Sequence, residues 1–340
     1  MTNYIGETEK SYSENSKTGI LLVNLGSPDN TTEAGLRRYL KEFLWDPRVV
    51  EVPRLIWWCA LNFFILRVRP KKSAETYKKI WTSQGSPLTV ITRSQADKFK
   101  SLVQAQYGDD VVVDFAMRYG NPSIPDALRR FRQQKVRKLL ILPLYPQYCA
   151  ATSASVMDAV FKELMTWRVM PEIRSIMQYH ETPDYIDALA ESIREKWGKQ
   201  GRAERLLFSF HGIPKRYVDS GDPYYHECQT TAAKVAEKLG LADNWYVTFQ
   251  SRFGREEYLT PYTDKTLMEW GKTGVKSVEV ICPGFSADCL ETLEEIEEEN
   301  REYFLESGGQ KFEYIPALNE RESHILMLKK LALSHLGGWL

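Results

Sequence analysis

Short apolar runs alternate with stretches of helical periodicity along most of the chain. The first run, 19–25 (GILLVNL), is continuously apolar and ends in a Gly-Ser-Pro turn, which is the pattern of a buried strand. Apolar residues between Leu36 and Leu44 then fall on one helical face, and Thr31 or Thr32 can cap the start of that helix. The chain therefore opens with a βα unit.

Seven further apolar runs predict strands, and helical patterns separate most of them. The strands are predicted at 111–115, 138–142, 172–177, 205–210, 245–249, 277–282 and 311–314. The helices are predicted at 123–133, 153–166, 183–197, 230–239, 261–271, 288–305 and 320–336. This alternation is typical of parallel sheets with helical crossovers, and eight strands favour two doubly wound halves over one sheet.

The length of the chain also favours two domains, because 340 residues exceed the usual size of one hydrophobic core. We predict one domain at 19–177 and a second at 178–318, although no Pro/Gly/Ser linker marks the boundary. Residues 1–18 are polar, lack the apolar core of a signal peptide and are expected to form a loose tail. The helical stretch within 319–340 is expected to pack back on the N-terminal domain.

Composition excludes several classes of partner and site. Lys plus Arg equals Asp plus Glu at 45 each, so no overall charge favours nucleic acid. The five cysteines form no CxxC pair, which argues against a disulfide framework and a zinc knuckle and fits a cytoplasmic protein. The chain also lacks GxGxxG, GxxxxGK[ST] and GxSxG motifs, so dehydrogenase, NTPase and hydrolase interpretations lose their main support.

One segment, 55–68 (LIWWCALNFFILRV), is very apolar yet too short to span a bilayer. Basic residues flank it on both sides, and the adjacent Trp57 and Trp58 suit a surface that is half wet and half apolar. We expect it to lie in a membrane interface or at the lip of a pocket. The alternative is a buried core helix.

Polar side chains that directly follow strands are candidates for chemistry, because ligands of doubly wound folds sit beyond the carboxyl ends of the strands. His211 follows one apolar strand and precedes Gly and Pro, so its imidazole should project at the sheet edge rather than into the core. Two other strand ends carry unusual polar groups, at 117–120 (MRYG) and 283–288 (PGFSAD).

The helix that begins near residue 288 has an acidic face. Asp288, Glu291, Glu295, Glu298 and Glu302 recur at spacings of three and four and line one side. The distal part of such a face is usually just solvated, but Asp288 and Glu291 belong at the sheet edge. A row of carboxylates on a helix, with the first turn of the helix beside a histidine, suggests a track for a divalent cation. Oxygen and imidazole ligands accept several metals, so they do not identify the metal.

Taken together, these motifs resemble the bacterial ferrochelatases, which are class II chelatases, from about residue 19 to about residue 318. Single pieces such as GSPL are common, but the set in this order is specific. The matching segments are LLVNLGSPD, RYLKEFL, GSPL, MRYGNPS, ILPLYPQY, FSFHGIP, TFQSRFGREEYL and CPGFSADCLETLEEI.

The resemblance implies two Rossmann-like domains with the active-site cleft between them, and insertion of Fe²⁺ into protoporphyrin IX to give haem and two protons. It places the catalytic and iron-binding pair on His211 and Glu291, and it continues the metal track through Asp288 and Glu295. The porphyrin-binding positions that it implies are Leu25, Arg118, Tyr119, Tyr258 and Phe285.

The resemblance also sets expectations about cofactors, location and substrate. Some relatives hold a [2Fe-2S] cluster on cysteines near the C-terminus, but no cysteine follows Cys289 here, so we expect no cluster and no permanently bound cofactor. We expect a cytoplasmic enzyme whose segment 55–68 touches the inner membrane, where protoporphyrin and haem would partition. The alternatives are coproporphyrin III as substrate, a cobalt or nickel chelatase of the same fold, and a non-catalytic porphyrin carrier.

Overall fold

The computed structural model describes residues 4–6, 16–254 and 256–340, which form two compact units. The first unit comprises the described residues up to Leu144, together with Ala150–Met177 and Ile325–Leu340. The second comprises Tyr145–Cys149 and Gln178–His324. Residues 1–3 and 7–15 of the predicted N-terminal tail lie outside the described residues.

The first unit contains a parallel sheet of β1 (Lys17–Asn24), β2 (Val111–Met117), β3 (Val136–Pro143) and β4 (Glu172–Ser175). The strand order is β2-β1-β3-β4. β1 lies inside the sheet and is buried from Thr18 onward, because strands cover both of its edges and helices cover both faces.

The second unit repeats this architecture with β5 (Arg205–His211), β6 (Trp245–Gln250), β7 (Ser277–Ile281) and β8 (Lys311–Ile315). These strands are also parallel, in the order β6-β5-β7-β8. The α/β class and all eight predicted strands are therefore confirmed, and their bounds differ from the predicted ones by two residues or fewer.

Helices connect the strands. They are α1 (Glu33–Trp45), α2 (Arg54–Ala60), α3 (Leu66–Ile80), α4 (Pro87–Tyr107), α5 (Ile124–Gln133), α6 (Ser155–Leu164), α7 (Pro183–Gln200), α8 (Lys215–Asp219), α9 (Tyr224–Leu239), α10 (Thr263–Lys272), α11 (Arg301–Glu306) and α12 (Glu322–Ser334). Three segments are π-helical: Leu61–Ile65, Ala150–Ala154 and Glu291–Asn300. The last is called the acidic π-helix below.

Local capping explains where α1 begins. Thr32 has an extended backbone, and its hydroxyl accepts a hydrogen bond from the amide of Gly35 at 3.1 Å. Such a bond satisfies one of the free amides at a helix start. Of the two predicted caps, Thr32 is the one that the structure uses.

The apolar segment 55–68 is helical and only partly buried. It runs through α2, the π-helical turn Leu61–Ile65 and the start of α3. Its exposed large side chains are Leu55, Ile56, Trp58, Phe63, Phe64 and Val68. Trp57 is buried instead, with its indole N–H donating to the carbonyl of Leu44 at 2.6 Å, so the prediction of a surface role is wrong for that residue.

Within the described ranges we find no helix that combines the length and the apolar character needed to cross a membrane.

Residues after α12 are fastened to the sheet of the first unit through Trp339, which is buried. Its indole N–H donates to Glu172 at 2.8 Å, its carbonyl accepts from Lys138 at 3.0 Å, and the guanidinium of Arg174 lies 4.2 Å from its ring centre. Arg174 also donates to the carbonyl of His335 at 2.6 Å. We call Lys138, Glu172, Arg174 and Trp339 the Trp339 latch.

Candidate functional site

His211 is the last residue of β5, the strand between β6 and β7, and its side chain is exposed. Its Nδ1 lies 2.7 Å from the carbonyl oxygen of Gly212. A carbonyl oxygen can only accept, so in the neutral imidazole the proton is on Nδ1. The lone pair of Nε2 is therefore available to a metal ion or to a proton.

The backbone around His211 is held from two sides. The hydroxyl of the buried Tyr224 donates to the carbonyl of His211 at 3.0 Å, and the amide of Gly212 donates to the carbonyl of Gln250 at 2.6 Å. A Cβ at position 212 would lie 2.8 Å from that same carbonyl oxygen, so this close approach requires glycine. The imidazole thus leaves the sheet from a fixed point.

Glu291 is the first residue of the acidic π-helix that follows β7, and it is half-buried. Parallel strands end at the same edge of a sheet, so β5 and β7 deliver His211 and Glu291 to one side. Gln250 joins them, because it pairs with His211 in strand register and its Nε2 donates to the carbonyl of Glu291 at 2.7 Å. One side chain on β6 therefore reaches the backbone of Glu291 from the strand that pairs with His211.

Glu295 lies one turn further along the acidic π-helix and is tied to the end of β6. Its carboxylate accepts the amide of Ser251 at 2.8 Å and also the hydroxyl of Ser251. Burial raises the pKa of Glu295 to about 7, and the negative charge of Glu291 acts in the same direction, while the hydrogen bonds from Ser251 and Gln250 oppose them. This carboxyl group is therefore poised between its charged and neutral forms near neutral pH.

Asp288, the predicted head of the metal track, lies in a closed network. Its carboxylate accepts from Thr292 at 3.0 Å, Tyr314 at 2.6 Å and Asn319 at 2.6 Å, and also from the amide of Ala317 at 3.2 Å. The side chain is buried and its oxygens are occupied by donors. In this geometry Asp288 anchors the start of the acidic π-helix.

Two of the predicted porphyrin positions lie in the second unit, near these groups. Tyr258 is buried and forms an isolated bridge with Pro214, three residues after His211. Phe285 is half-buried on the loop after β7 and packs against the core of this unit. Tyr258 is thus bridged to the segment that follows His211, and Phe285 lies on the loop that leads from β7 to Glu291.

The other three predicted porphyrin positions lie in the first unit, which also contains a buried polar network. Leu25 follows β1 and is half-buried, and its carbonyl accepts from the amide of Tyr119 at 2.9 Å. Tyr119 is fully buried, and its hydroxyl donates to Asp46 at 2.8 Å. Arg118 forms an ion pair with Asp46 and donates through Nε to the carbonyl of Ser155 at 2.8 Å. The polar groups of Arg118 and Tyr119 thus form hydrogen bonds with Asp46 and Ser155.

The charge of Asp46 is stabilised in this network. Burial alone would raise the pKa of Asp46, but hydrogen bonds from Ser155, the amide of Arg48 and Tyr119, together with the charge of Arg118, hold it below its usual value. Burial raises the pKa of the Tyr119 phenol. The network therefore stabilises the buried charge of Asp46.

No group of three or more His, Cys, Asp or Glu side chains is arranged to hold a metal ion anywhere in residues 4–6, 16–254 or 256–340. The four buried cysteines and the exposed Cys59 are free thiols.

Gln250 and Ser251 are functional candidates that the sequence patterns did not single out. In the sequence they are only part of the matching segment TFQSRFGREEYL. The signal that could have found them is their position, because a polar pair directly after a buried strand lies at the same sheet edge as the other candidates.

Comparison with known proteins places this architecture in a family. The family model described as ferrochelatase matches residues 17–336. A ferrochelatase of Marinobacter nauticus is 54% identical over 337 residues, which cover 99% of this chain and 91% of the relative. A ferrochelatase of Pseudoalteromonas atlantica is 56% identical over 324 residues, covering 95% and 90%.

Solved structures with the same fold are more distant in sequence. The sirohydrochlorin chelatase SirB from Bacillus subtilis subspecies spizizenii, in complex with cobalt, gives a TM-score of 0.55 at 10% identity over 94% of this chain and 96% of its own. CbiX, the terminal enzyme of sirohaem biosynthesis in denitrifying bacteria, gives 0.51 at 14% identity over 93% and 98%. At this identity they support the fold alone, whereas the family model and the close relatives cover nearly the whole sequence. This chain belongs to the ferrochelatase family.

Proposed function

We propose that this protein inserts Fe²⁺ into protoporphyrin IX, releasing two protons and forming protohaem. The observation that carries the proposal is the link that Gln250 makes between the two residues: its backbone pairs with His211, and its side chain donates to the backbone carbonyl of Glu291. An imidazole and a carboxylate held in this way can bind a divalent cation and can accept protons.

The chemistry requires both abilities. A free porphyrin carries two N–H protons at its centre, and its nitrogen lone pairs lie in the plane of the ring. Bending the macrocycle tilts these lone pairs toward one face, at a cost of about 1 to 5 kcal/mol that apolar contact with the rest of the ring must offset. Metal entry and proton departure then take place on the face that His211 and Glu291 address.

His211 has the free Nε2 that either role requires. An imidazole that binds iron must be neutral, and so must one that is about to accept a proton. Both roles therefore predict that turnover falls at acid pH.

Leu25, Tyr258 and Phe285 remain the candidate apolar or aromatic porphyrin contacts in this proposal. We do not propose that Arg118 binds a propionate group of the porphyrin, because its guanidinium is already paired with Asp46. Arg118 and Tyr119 instead stiffen the part of the first unit that follows β2. No iron–sulfur cluster and no other resident cofactor enter the proposed reaction.

The location that we propose is the cytoplasmic face of the inner membrane. The exposed apolar side chains of 55–68 are followed in α3 by Arg67, Arg69, Lys71 and Lys72. Apolar groups beside basic ones suit the boundary between lipid tails and anionic headgroups. Such a surface would receive a poorly soluble porphyrin and return haem.

One assay tests the activity and its nearest alternatives. Purified protein is incubated anaerobically with Fe²⁺ and either protoporphyrin IX or coproporphyrin III, and the absorbance of the metallated product is followed. We expect faster turnover of protoporphyrin IX. Faster turnover of coproporphyrin III would show that it is the substrate instead. Turnover with Co²⁺ or Ni²⁺ but not with Fe²⁺ would indicate a cobalt or nickel chelatase, and tight porphyrin binding without turnover would indicate a carrier.

A further inference from the structure

The end of β6 makes contacts that the proposed reaction does not yet use. Gln250 is 3% exposed, although it is polar and lies at a strand end. Its backbone pairs with His211, and its Nε2 lies 2.7 Å from the carbonyl of Glu291 and 3.4 Å from the carboxylate of Glu295. One residue thus contacts both elements that carry the proposed metal-binding pair.

The orientation of the Gln250 amide is fixed by a buried hydroxyl chain. The hydroxyl of Ser209 donates to Oε1 of Gln250 at 2.8 Å and lies 2.9 Å from the hydroxyl of Thr263. Thr263 in turn donates to Thr248 at 2.9 Å. With Oε1 occupied by a donor, Nε2 is the atom that faces the acidic π-helix, and linked bonds of this kind reinforce one another.

Ser251 continues the same contact in an unusual backbone conformation. Its φ is 59°, in the left-handed region that residues other than glycine seldom adopt. In this conformation both its amide and its hydroxyl reach the carboxylate of Glu295. A strained conformation persists only where surrounding contacts hold it, and such sites concentrate where geometry matters for function.

We propose that Gln250 and Ser251 are positioning residues that set where the Glu291 carboxylate stands relative to His211. Gln250 holds the first residue of the acidic π-helix, and Ser251 holds the next turn through Glu295. The inference rests on the proposed function of His211 and Glu291. Partners that orient a metal ligand typically change activity or metal affinity by about 10 to 100-fold when they are removed.

The test compares three variants with two controls of the same kind. Gln250→Leu removes both polar atoms, Gln250→Glu keeps the shape but replaces the N–H donor by an oxygen, and Ser251→Ala removes one hydroxyl. The controls are Gln95→Leu, at a buried glutamine of the first unit, and Ser192→Ala, at a buried serine of the second unit whose hydroxyl donates to Leu189. Each protein is assayed with Fe²⁺ and the porphyrin that the wild type turns over.

The decisive readout is kcat per folded molecule, with the folded fraction taken from circular dichroism. We expect both Gln250 variants to lose about 10-fold or more in kcat at an unchanged porphyrin KM, Ser251→Ala to lose less, and the controls to match the wild type. A purely structural role would lower the melting temperature and leave kcat per folded molecule at the control value. That outcome overturns the inference.

The parent proposal is separated from this one by His211→Ala and Glu291→Gln in the same assay. If those two are inactive while the Gln250 variants keep control turnover, the positioning role is wrong and the proposed function stands. If those two keep wild-type turnover, the roles proposed for His211 and Glu291 fail, and the positioning inference fails with them. Should the Gln250 variants not fold, Ser251→Ala decides, and control-level kcat for it overturns the inference.

Discussion

Acidification should destabilise the second unit through His324. This imidazole is fully buried, and its Nδ1 donates to the carbonyl of Asn319 at 2.7 Å. Burial lowers the pKa of His324 to about 4 from an ordinary value of 6.5. Unfolding exposes the ring and restores its ordinary proton affinity, so between these pH values the unfolded state binds a proton that the folded state does not.

The sign and size follow from linkage. The folded-state pKa is depressed, so the stabilisation is complete above pH 6.5 and is lost as the pH falls toward 4. At 1.36 kcal/mol per pKa unit, the free energy of unfolding should fall by about 1 kcal/mol at pH 6, about 2 at pH 5, and about 3 at the acid limit. Other groups titrate in the same range, so the measurement must be differential.

The assay is urea unfolding followed by tryptophan fluorescence at pH 7.5, 6 and 5, for the wild type and for His324→Gln. The glutamine amide can still donate to the Asn319 carbonyl but does not titrate. The variant should be less sensitive to pH than the wild type by the amounts given above, and His226→Gln at an exposed site controls for the loss of an imidazole. Equal pH dependence in the wild type and His324→Gln would refute the reasoning, as would an NMR titration of His324 near pH 6.5.

Four further predictions follow from the site and the fold. His211→Ala and Glu291→Gln should each lower kcat by about 100-fold or more, because each removes a group that binds metal or moves a proton. The absorbance of the metallated product measures this loss. Phe64→Glu should reduce flotation with anionic vesicles, because it places a charge in the exposed apolar surface. Trp339→Ala should lower the free energy of unfolding by about 3 kcal/mol in urea titrations, because it empties a buried ring site. Thr32→Ala should cost about 1 kcal/mol in the same titrations through the lost helix cap.

Matched variants control these predictions. If Glu291→Gln still binds porphyrin, its loss of turnover is a defect in the chemistry and not in folding. Lys162→Glu changes a charge on α6, outside segment 55–68, and should leave flotation unchanged. Equal flotation of Phe64→Glu and wild type would refute the proposed membrane surface. Trp339→Phe keeps a ring but loses the bond to Glu172, so it should cost less than alanine, and Thr32→Ser should keep the cap.

The strands were predictable because burial on both faces leaves a clear mark. β1 contains an uninterrupted apolar run at 19–23, and turn residues follow it shortly afterwards. α4 was missed although it is 21 residues long. Its buried face includes Thr92 and Gln95, and Thr92 accepts a hydrogen bond from Asn24 at 3.1 Å, so two polar residues interrupt the apolar stripe that would reveal a helix.

The candidate site was predictable in its chemistry but not in its hydrogen bonding. His211 and Glu291 follow apolar strands, so parallel topology alone sends them to one edge. Asp288 has the same sequence signature as Glu291, yet contacts from residues far along the chain bury it. The π-helical winding between Glu291 and Asn300 was not predicted either, because its sequence is compatible with ordinary helical spacing.

The Trp339 latch has a consequence for the order in which the protein can mature during synthesis. Residues 325–340 belong to the first unit, but the ribosome makes them after the whole of the second. Lys138, Glu172 and Arg174 thus acquire their partners His335 and Trp339 only after the second unit has been made, although domains generally fold as they appear. The first unit, whose synthesis starts first, therefore completes its native contacts only after the second unit has been synthesised.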